Sequence, residues 1–150
     1  MQIIKDKAII DDTFITLADD AELISGDVCV SLARWKRDRE HLLAHPGKLG
    51  VRIQASDQVS DLTEDLKHIH LIELDFADFA DGRLFSHAWL LRSRYRYQGE
   101  IRATGHYLSD QIFYLSRVGI NAFQAIKTEQ LDTILAKLND FSVKYQPSIN

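Results

Sequence analysis

Residues 71–105 of the chain read LIELDFADFADGRLFSHAWLLRSRYRYQGEIRATG, and their pattern indicates the fold class. A short strand-like run, residues 71–74, precedes a polar loop, and a second such run, residues 100–103, comes near the end. Between the two runs, apolar side chains recur at steps of three and four, the period of a helix that buries one face: Leu84, Ala88, Leu91 and Tyr95. A strand, a helix and a second strand in this order form a right-handed crossover unit, which places the two strands parallel.

The same unit is repeated before and after this stretch. Further strand-like runs are predicted at residues 28–30, 49–53 and 121–126. Amphipathic helices are predicted over residues 32–43, from Ser56 or Asp57 to Ile69, from Leu108 to Leu115 and from Leu131 to Phe141. This succession predicts an α/β protein whose repeated βα units form a parallel sheet flanked by helices.

The first 25 residues predict an N-terminal β-hairpin with Asp11-Asp12 as its turn. We expect this hairpin to extend an edge of the sheet or to cap one end. The sheet is either open and covered on both faces, or half-barrel-like, the open part of an eight-stranded barrel. A complete barrel is excluded because it needs about 200 residues or more. The chain has 150 residues, which fits a single α/β domain over residues 1–150.

The composition, with 45% hydrophobic and 27% charged residues, is typical of a globular domain and excludes collagen-like and disordered chains. A net charge of −4 does not favour nucleic acid as a partner. No apolar run reaches the roughly 18 residues that span a bilayer, so no membrane partner is expected. The first twelve residues, MQIIKDKAIIDD, lack the basic start and apolar block of an export signal, and we expect a cytoplasmic protein.

In both candidate architectures, ligands bind beyond the carboxyl ends of the parallel strands. The most unusual sequence there is the loop DFADFADGR, residues 75–83. One interpretation makes Asp75 and Asp81 catalytic acid–base groups or metal ligands, with Arg83 binding an anion. The alternative is structural: Asp81 caps the following helix, Asp81-Gly82 forms the turn, and the two phenylalanines hold the loop on the core.

A second candidate site follows the fourth βα strand, in the sequence RATGHYLSDQ, residues 102–111. A glycine where a strand turns into a helix lets backbone N–H groups approach a phosphate or sulfate. The residues predicted to bind such an anion are Arg83, Arg102, Thr104 and Gly105, with Asp110 and Gln111 as further members of the site. The structural alternative is a tight turn at Gly105 and an Asp110 that serves the first turn of the helix.

No cofactor and no metal is predicted. The single cysteine, Cys29, lies between two valines and is expected to be a buried thiol, whereas an iron–sulfur cluster needs about four thiolates. The six histidines show no zinc-ligand spacing, and neither a dinucleotide-binding glycine fingerprint nor a P-loop is present. The stretch RSRYRY, residues 92–97, interleaves cations and aromatic rings as nucleic-acid strips do. Its position at a helix end favours packing and interaction with the helix dipole instead.

The segment DFADFADGRLFSHAWLLRSRYRYQGEIRATGHYLSDQIFYLSRVGINAF, residues 75–123, resembles the signature of an uncharacterised bacterial family, domain-of-unknown-function family 934. That family usually reads D-F-P-x-F-x-D-G-R, L-L-R-x-R, G-E-L-R-A-x-G, D-Q-x-x-x-L and R-x-G-F-D-A-F. The resemblance also covers SLARW at residues 31–35, LGVRI at 49–53 and FSVKYQ at 141–146. Departures are Ala77 for proline, Val118 for a frequent cysteine, and Ile120-Asn121 for Phe-Asp.

Members of this family are typically encoded beside assimilatory sulfite reductase, so the resemblance implies a place in sulfur assimilation. Because cluster ligands and a dinucleotide fingerprint are lacking, the first hypothesis is an accessory protein that binds a sulfite reductase subunit, an electron donor or a small anion. The second is a small enzyme acting on an anionic substrate, with Asp75 or Asp81 as acid–base groups and Arg83 and Arg102 as the clamp. The third is a flavin-binding electron carrier.

Overall fold

The computed structural model describes residues 1–77 and 82–144 of the chain. The strands are Gln2–Lys5 (β1), Ala8–Asp11 (β2), Phe14–Thr16 (β3), Asp27–Ser31 (β4), Leu49–Ile53 (β5), Leu71–Phe76 (β6), Glu100–Gly105 (β7) and Ala122–Phe123 (β8). The helices are Leu32–Arg37 (α1), Arg39–Leu43 (α2), Arg83–Trp89 (α3), Ile112–Arg117 (α4) and Leu131–Lys144 (α5). Helix α3 continues as a π-helical segment, Leu90–Arg94, and short 3-10 helices occupy Val59–Leu62, Leu66–His68, Ser109–Gln111 and Thr128–Gln130.

All of these strands belong to one sheet, in the order β2-β1-β8-β7-β6-β5-β4-β3. Strands β3 to β8 run parallel to one another, and β1 pairs antiparallel with both β2 and β8. The sheet curls into a half-barrel that is flanked by helices. The predictions of an α/β fold, a half-barrel-like parallel sheet and an N-terminal strand pair are thereby confirmed.

The turn of the N-terminal hairpin lies at Asp6-Lys7, so the prediction of a turn at Asp11-Asp12 is wrong. Both turn residues have positive φ, 50° and 65°, the backbone that matches a two-residue turn to the right-handed twist of the strands. Asp11 instead ends β2, and Asp12 and Thr13 lead the chain across to β3 at the opposite edge of the sheet. Two residues therefore join the two edges of the curled sheet.

Two predicted elements are shorter than expected. The helix predicted over residues 32–43 is interrupted at Asp38, whose backbone leaves the helical region (φ −111°, ψ 24°) and whose carboxylate accepts hydrogen bonds from Arg34 and Arg37. The last strand comprises only Ala122–Phe123, and these two residues pair with both neighbouring strands, β1 and β7.

The helix predicted up to Ile69 is replaced by two short 3-10 helices. Asp65, between them, turns inward, and its carboxylate accepts a hydrogen bond of 2.8 Å from the buried indole of Trp35. Arg39 donates to the same carboxylate from outside. This contact holds the segment against α1 without a continuous helix.

The sheet buries one face against the helices. The side chains on the outer face of the curl lie beneath the helices, and each is at most 1% exposed. They are Val28, Val30, Val51, Ile53, Ile72, Leu74, Phe76, Ile101, Ala103 and Phe123. They pack against Leu84, Ala88, Leu91, Ile112 and Leu115 of the helices. Burial of each large apolar side chain contributes about 1.5–3 kcal/mol to folding, so this layer is a major source of hydrophobic stabilisation.

Alternate residues of the same strands face the inside of the curl, and the register arranges them in rows. The central row is Ser31, Arg52, Glu73 and Arg102. The row on the amino-terminal side is Cys29, Gly50, Leu71 and Glu100. Towards the carboxyl ends of the strands lie Asp75 and Thr104, with Gln54 directly after β5. The inside of the curl is therefore charged at its middle and polar at its carboxyl rim.

Candidate functional site

A buried ion network fills the middle of the curl. The Arg102 guanidinium, in a residue only 1% exposed, donates to both carboxylate oxygens of Asp12 at 2.9 and 3.1 Å and to Glu100 at 2.8 Å. Arg52 donates to Glu73 at 2.8 and 2.6 Å, and a Glu73 oxygen lies 3.8 Å from Arg102. Charges on three neighbouring strands and on the edge-to-edge link are thus paired inside the protein.

The network becomes electrically neutral when Lys5, 3.5 Å from Glu100, is included. Burial opposes the charge on Arg102, but the carboxylates of Glu100 and Asp12 outweigh burial and raise the pKa of this guanidinium. Burial also raises the pKa of the adjacent Cys29 thiol well above its usual range. Cys29 is therefore a neutral buried thiol, and the prediction of its burial is confirmed.

Arg102 is a clamp between β7 and the link that joins the sheet edges. In addition to its bonds with Asp12, its guanidinium lies 5.9 Å from the ring centre of Phe14, at the start of β3. Its donors are directed to carboxylates inside the curl, whereas Arg83 lies exposed at the start of α3. The structure therefore does not bring these two arginines together at one rim.

The carboxyl rim carries a small cavity of about 210 Å³. Asp75 lies in its wall, half-buried, and Oδ2 of this carboxylate accepts a hydrogen bond of 2.9 Å from the Gln54 side-chain amide. Ser56 and Arg83 also line the cavity. An aspartate and an arginine thus line one small space, at the edge where parallel sheets bind ligands.

His87 lies one turn after Arg83 on α3, beside this cavity. Its Nε2 is 3.1 Å from the carbonyl oxygen of Ala55, a lining residue, and since a carbonyl only accepts, Nε2 carries the proton. Its Nδ1 is buried and has no hydrogen-bond partner among the described residues. The contact fixes the position of α3 against the loop after β5.

Gly105 shapes the same rim. It has a φ of +84°, and a Cβ at this position would lie 2.6 Å from the Phe76 carbonyl oxygen and 3.0 Å from Oδ1 of Asp75. The tight turn predicted at this glycine is therefore present, and it leaves the Asp75 carboxylate uncovered on that side.

Replacing Gly105 with alanine is expected to lower the free energy of unfolding by about 1–3 kcal/mol, because a Cβ is both strained at positive φ and too close to Phe76. Gly82→Ala is the matched control: Gly82 has a φ of −71° and nothing within 4 Å of a Cβ built there. We expect this control to change stability by less than about 0.5 kcal/mol. Urea unfolding of both variants measures the difference, and equal effects would contradict the geometry.

The other predicted site residues are dispersed. Thr104 is buried and its hydroxyl hydrogen-bonds to a backbone carbonyl of β6, whereas Asp110 is exposed and lies 3.9 Å from Lys137. The Gln111 side chain accepts a backbone N–H at the start of its own 3-10 helix. Asp81 lies outside the described residues. Among the described candidates, those at or beside the rim cavity are Asp75, Arg83 and Gly105.

A second cavity, of about 280 Å³, lies between the end of β7 and the start of α5. Its lining includes Gly105, Tyr107, Ser109, Gln130 and Thr133, and the described lining residues carry no charged side chain. This cavity therefore offers hydroxyl and amide groups, without a cation that would favour an anion.

An apolar groove of about 420 Å³ lies on the outside of the molecule, between α3 and the end of α4. Its wall is formed by Phe85, Ser86, Trp89, Leu90 and Val118. Trp89 is 57% exposed, an unusual state for an indole. Tyr114, four residues before Val118 and therefore on the same face of α4, is 66% exposed and extends this surface.

Reasoning from the sequence missed the ion network, although a signal for it exists. Each of three successive strands carries one charged residue at its centre, Arg52, Glu73 and Arg102, and the signs alternate. Charged residues are almost never fully buried without a partner. Alternating signs at equal strand positions therefore predict paired charges on one face of the sheet.

The described residues contain neither a metal-binding cluster of side chains nor a membrane-spanning helix. In the part of the chain that the structure covers, no group of three or more histidine, cysteine, aspartate or glutamate side chains is placed to hold a metal ion. Within residues 1–77 and 82–144, no helix has the length and apolar character to cross a membrane.

Comparison with known proteins identifies the family of the chain. No curated protein matches the chain. A family model with the description "Bacterial protein of unknown function (DUF934)" matches residues 50–150, which include the rim cavity and the groove between α3 and α4. This match covers two thirds of the sequence, and the chain belongs to this bacterial family.

Proposed function

We propose that this protein is a cytoplasmic accessory protein of assimilatory sulfite reduction, which binds the sulfite reductase haemoprotein through the groove between α3 and α4. The observation that carries the proposal is the exposed Trp89 beside an apolar groove. Tryptophan and tyrosine are the residues that most often dominate the binding energy of protein interfaces, where they enter pockets of the partner.

The size and composition of the surface fit a protein partner better than a small molecule. The groove is open and apolar, and Tyr114 extends it along α4. Burying the exposed part of a large aromatic side chain contributes about 1.5–3 kcal/mol at 25 cal/mol per Å². A few such anchors with a surrounding polar rim form an interface of ordinary strength.

The charges beside the groove indicate the sign of the partner surface. Arg94, one turn beyond Leu90 along the π-helical segment, and Arg117, next to Val118, are both exposed. Cations at the rim of an apolar surface attract an acidic partner and fix its register. We therefore expect the reductase to present a carboxylate-rich surface with an apolar pocket, and association to weaken as salt increases.

The role in sulfite reduction rests on the family. The resemblance stated above connects members to assimilatory sulfite reductase, and the family match now includes every residue of the groove. The internal charges of the curl pair with one another, whereas Trp89 stays exposed at the groove, so we place the partner at the groove.

Trp89→Ser is expected to weaken binding to purified sulfite reductase haemoprotein at least tenfold, measured by isothermal titration calorimetry. Ile15→Ser is the matched control, since Ile15 is 53% exposed on β3, the edge strand opposite the hairpin, and its loss should leave the affinity within about twofold. The absence of binding by the unchanged protein would overturn the proposal. Equal affinities of the two variants, or a groove occupied by a second copy of the chain in sedimentation experiments, would also overturn it.

A further inference from the structure

We infer that the cavity between the end of β7 and the start of α5 binds a small uncharged molecule with a short aliphatic part and a group that both donates and accepts hydrogen bonds, such as a primary carboxamide. The cavity has a volume of about 280 Å³ and lies beyond the carboxyl ends of β7 and β8, at the edge where parallel sheets bind ligands. Its described lining shares no residue with the groove between α3 and α4, so the inference does not depend on the docking of a protein there.

The described wall of this cavity carries no charge. Among the described lining residues, the one ionisable side chain is that of Tyr107, whose hydroxyl donates a hydrogen bond of 3.0 Å to the Gln124 carbonyl oxygen. Burial raises the pKa of the Tyr107 phenol, so this group is neutral at physiological pH. A charged ligand that enters such a space loses water without gaining an opposite charge. An anion or a cation should therefore bind more weakly than a neutral molecule of the same shape.

Two hydroxyl groups form the polar part of the wall. Ser109 begins the 3-10 helix after β7, and Thr133 lies in the first turn of α5. A serine or threonine hydroxyl is one bond from Cβ, so it stays at the wall in every rotamer. Each hydroxyl both donates and accepts hydrogen bonds, as the N–H and C=O groups of a carboxamide do together.

The apolar part of the wall extends from the surface into the core. Ile126 is 60% exposed at the cavity, whereas Ile134, also in the wall, is only 5% exposed. Covering Ile126 with an aliphatic group removes apolar surface from water, which is favourable. Since liquid water takes about 30 Å³ per molecule, the cavity has room for the equivalent of about nine waters, which limits the ligand to a small molecule.

The rigidity of the wall favours a ligand of defined shape. The Tyr107 ring packs edge-on against Phe76 and Phe123, with ring centres 6.2 and 5.9 Å apart. At the start of α5, Oε1 of Gln130 accepts the Lys127 N–H at 3.2 Å, which holds this lining residue in place. The two sides of the cavity are thus fixed before a ligand binds, which lowers the cost of ordering the site.

The test compares molecules of the same shape that differ in charge. Isobutyramide is neutral, isobutyrate is an anion and isobutyramidinium is a cation, and each has an isopropyl group on a planar carbon. Each is titrated into the full chain, labelled with ¹⁵N, and the amide shifts are followed by NMR. We expect isobutyramide to bind at least fivefold more tightly than either charged compound, with the largest shifts at Ser109, Ile126 and Thr133. Methyl isopropyl ketone, which has the same shape without N–H donors, should also bind more weakly.

Two results would overturn the inference. One is an affinity for isobutyramide that is equal to or lower than that for a charged compound. The other is the absence of a saturable shift at the cavity residues with isobutyramide.

Two variants that fill the cavity assign the site. Thr133→Phe and Ser109→Phe should each abolish isobutyramide binding, and because they lie on different elements, one keeps the test decisive if the other does not fold. Thr128→Phe is the matched control, since Thr128 is exposed just before α5 and lies outside the described lining, and its affinity should stay within about twofold. Unchanged affinity in a folded filling variant would refute the site. Trp89→Ser, which alters only the docking groove, should bind isobutyramide normally.

Discussion

Replacing Arg102 with methionine is expected to lower the free energy of unfolding by about 3–5 kcal/mol, because it leaves buried carboxylates without their partner. The guanidinium holds both oxygens of Asp12 and one of Glu100, and the three residues are at most 9% exposed at their side chains. Methionine fills a similar length with apolar atoms, so the loss measures the unpaired charges rather than an empty space. Guanidinium chloride or urea unfolding gives the value.

The exposed Arg94 is the matched control for this prediction, since Arg94→Met removes the same charge from the surface. We expect its effect to stay within about 0.5 kcal/mol. Adding Asp12→Asn to Arg102→Met should recover part of the lost stability, because the second change removes a buried charge that the first had left unpaired. A loss below about 1 kcal/mol for Arg102→Met would show that the network is not the clamp described here.

Replacing Asp65 with alanine is expected to lower the free energy of unfolding by about 2–3 kcal/mol. The variant leaves the buried indole N–H of Trp35 without an acceptor and releases Arg39. The residues between β5 and β6 then lose their buried polar contact with α1 and keep only the exposed ion pair of Asp61 with Lys36 among their side-chain polar contacts to α1 within the described residues. Urea unfolding followed by tryptophan fluorescence measures the effect, and the transition should move to a lower urea concentration. The control is Asp61→Ala, since Asp61 is an exposed aspartate of the same segment.

The same aspartate makes stability depend on acid. The hydrogen bonds from Arg39, and then from Trp35, hold the pKa of Asp65 below its ordinary value of 3.8. A carboxyl whose pKa is lower in the folded state contributes stability that is present above the unfolded value and lost as pH falls through the folded one. Between pH 5 and pH 3, the unchanged protein should therefore lose more stability than Asp65→Ala does.

Some acid dependence should remain in this variant. Asp27 accepts hydrogen bonds from the Thr13 hydroxyl and the Lys48 backbone, and these lower its pKa in the same direction. Parallel pH profiles for the two proteins, with no difference in slope below pH 5, would refute the role of Asp65.

The alternation of strands and helices predicted the parallel sheet. Each element could be identified because hydrophobic periodicity indicates which side of it is buried. Leu84, Ala88 and Leu91 recur at helical spacing, and all three are fully buried against the sheet. Periodicity says less about where an element ends. Strand β7 continues through Thr104 to Gly105, beyond the predicted end at residue 103.

That difference of two residues explains why Arg102 does not lie at the rim with Arg83, as the sequence analysis expected. With the strand ending at residue 103, Arg102 would lie at the rim; with two more residues it lies in the middle of the curl, beside Glu73. Local sequence patterns could not predict the contact of Asp12 with Arg102. The two residues are distant in sequence and meet only when the sheet curls. The spacing of neighbouring residues does not indicate a tertiary ion pair of this kind.

The pairing of β1 with β8 has a consequence for synthesis on the ribosome. Residue 4 of β1 pairs with residue 123 of β8, so this edge of β1 stays uncovered until β8, the last of the described strands, has been synthesised. The parallel strands β3 to β7 form contacts between segments that lie much closer along the chain. We therefore expect the nascent hairpin to stay undocked until β8 has left the exit tunnel, with Asp12 and Arg102 meeting in that final step.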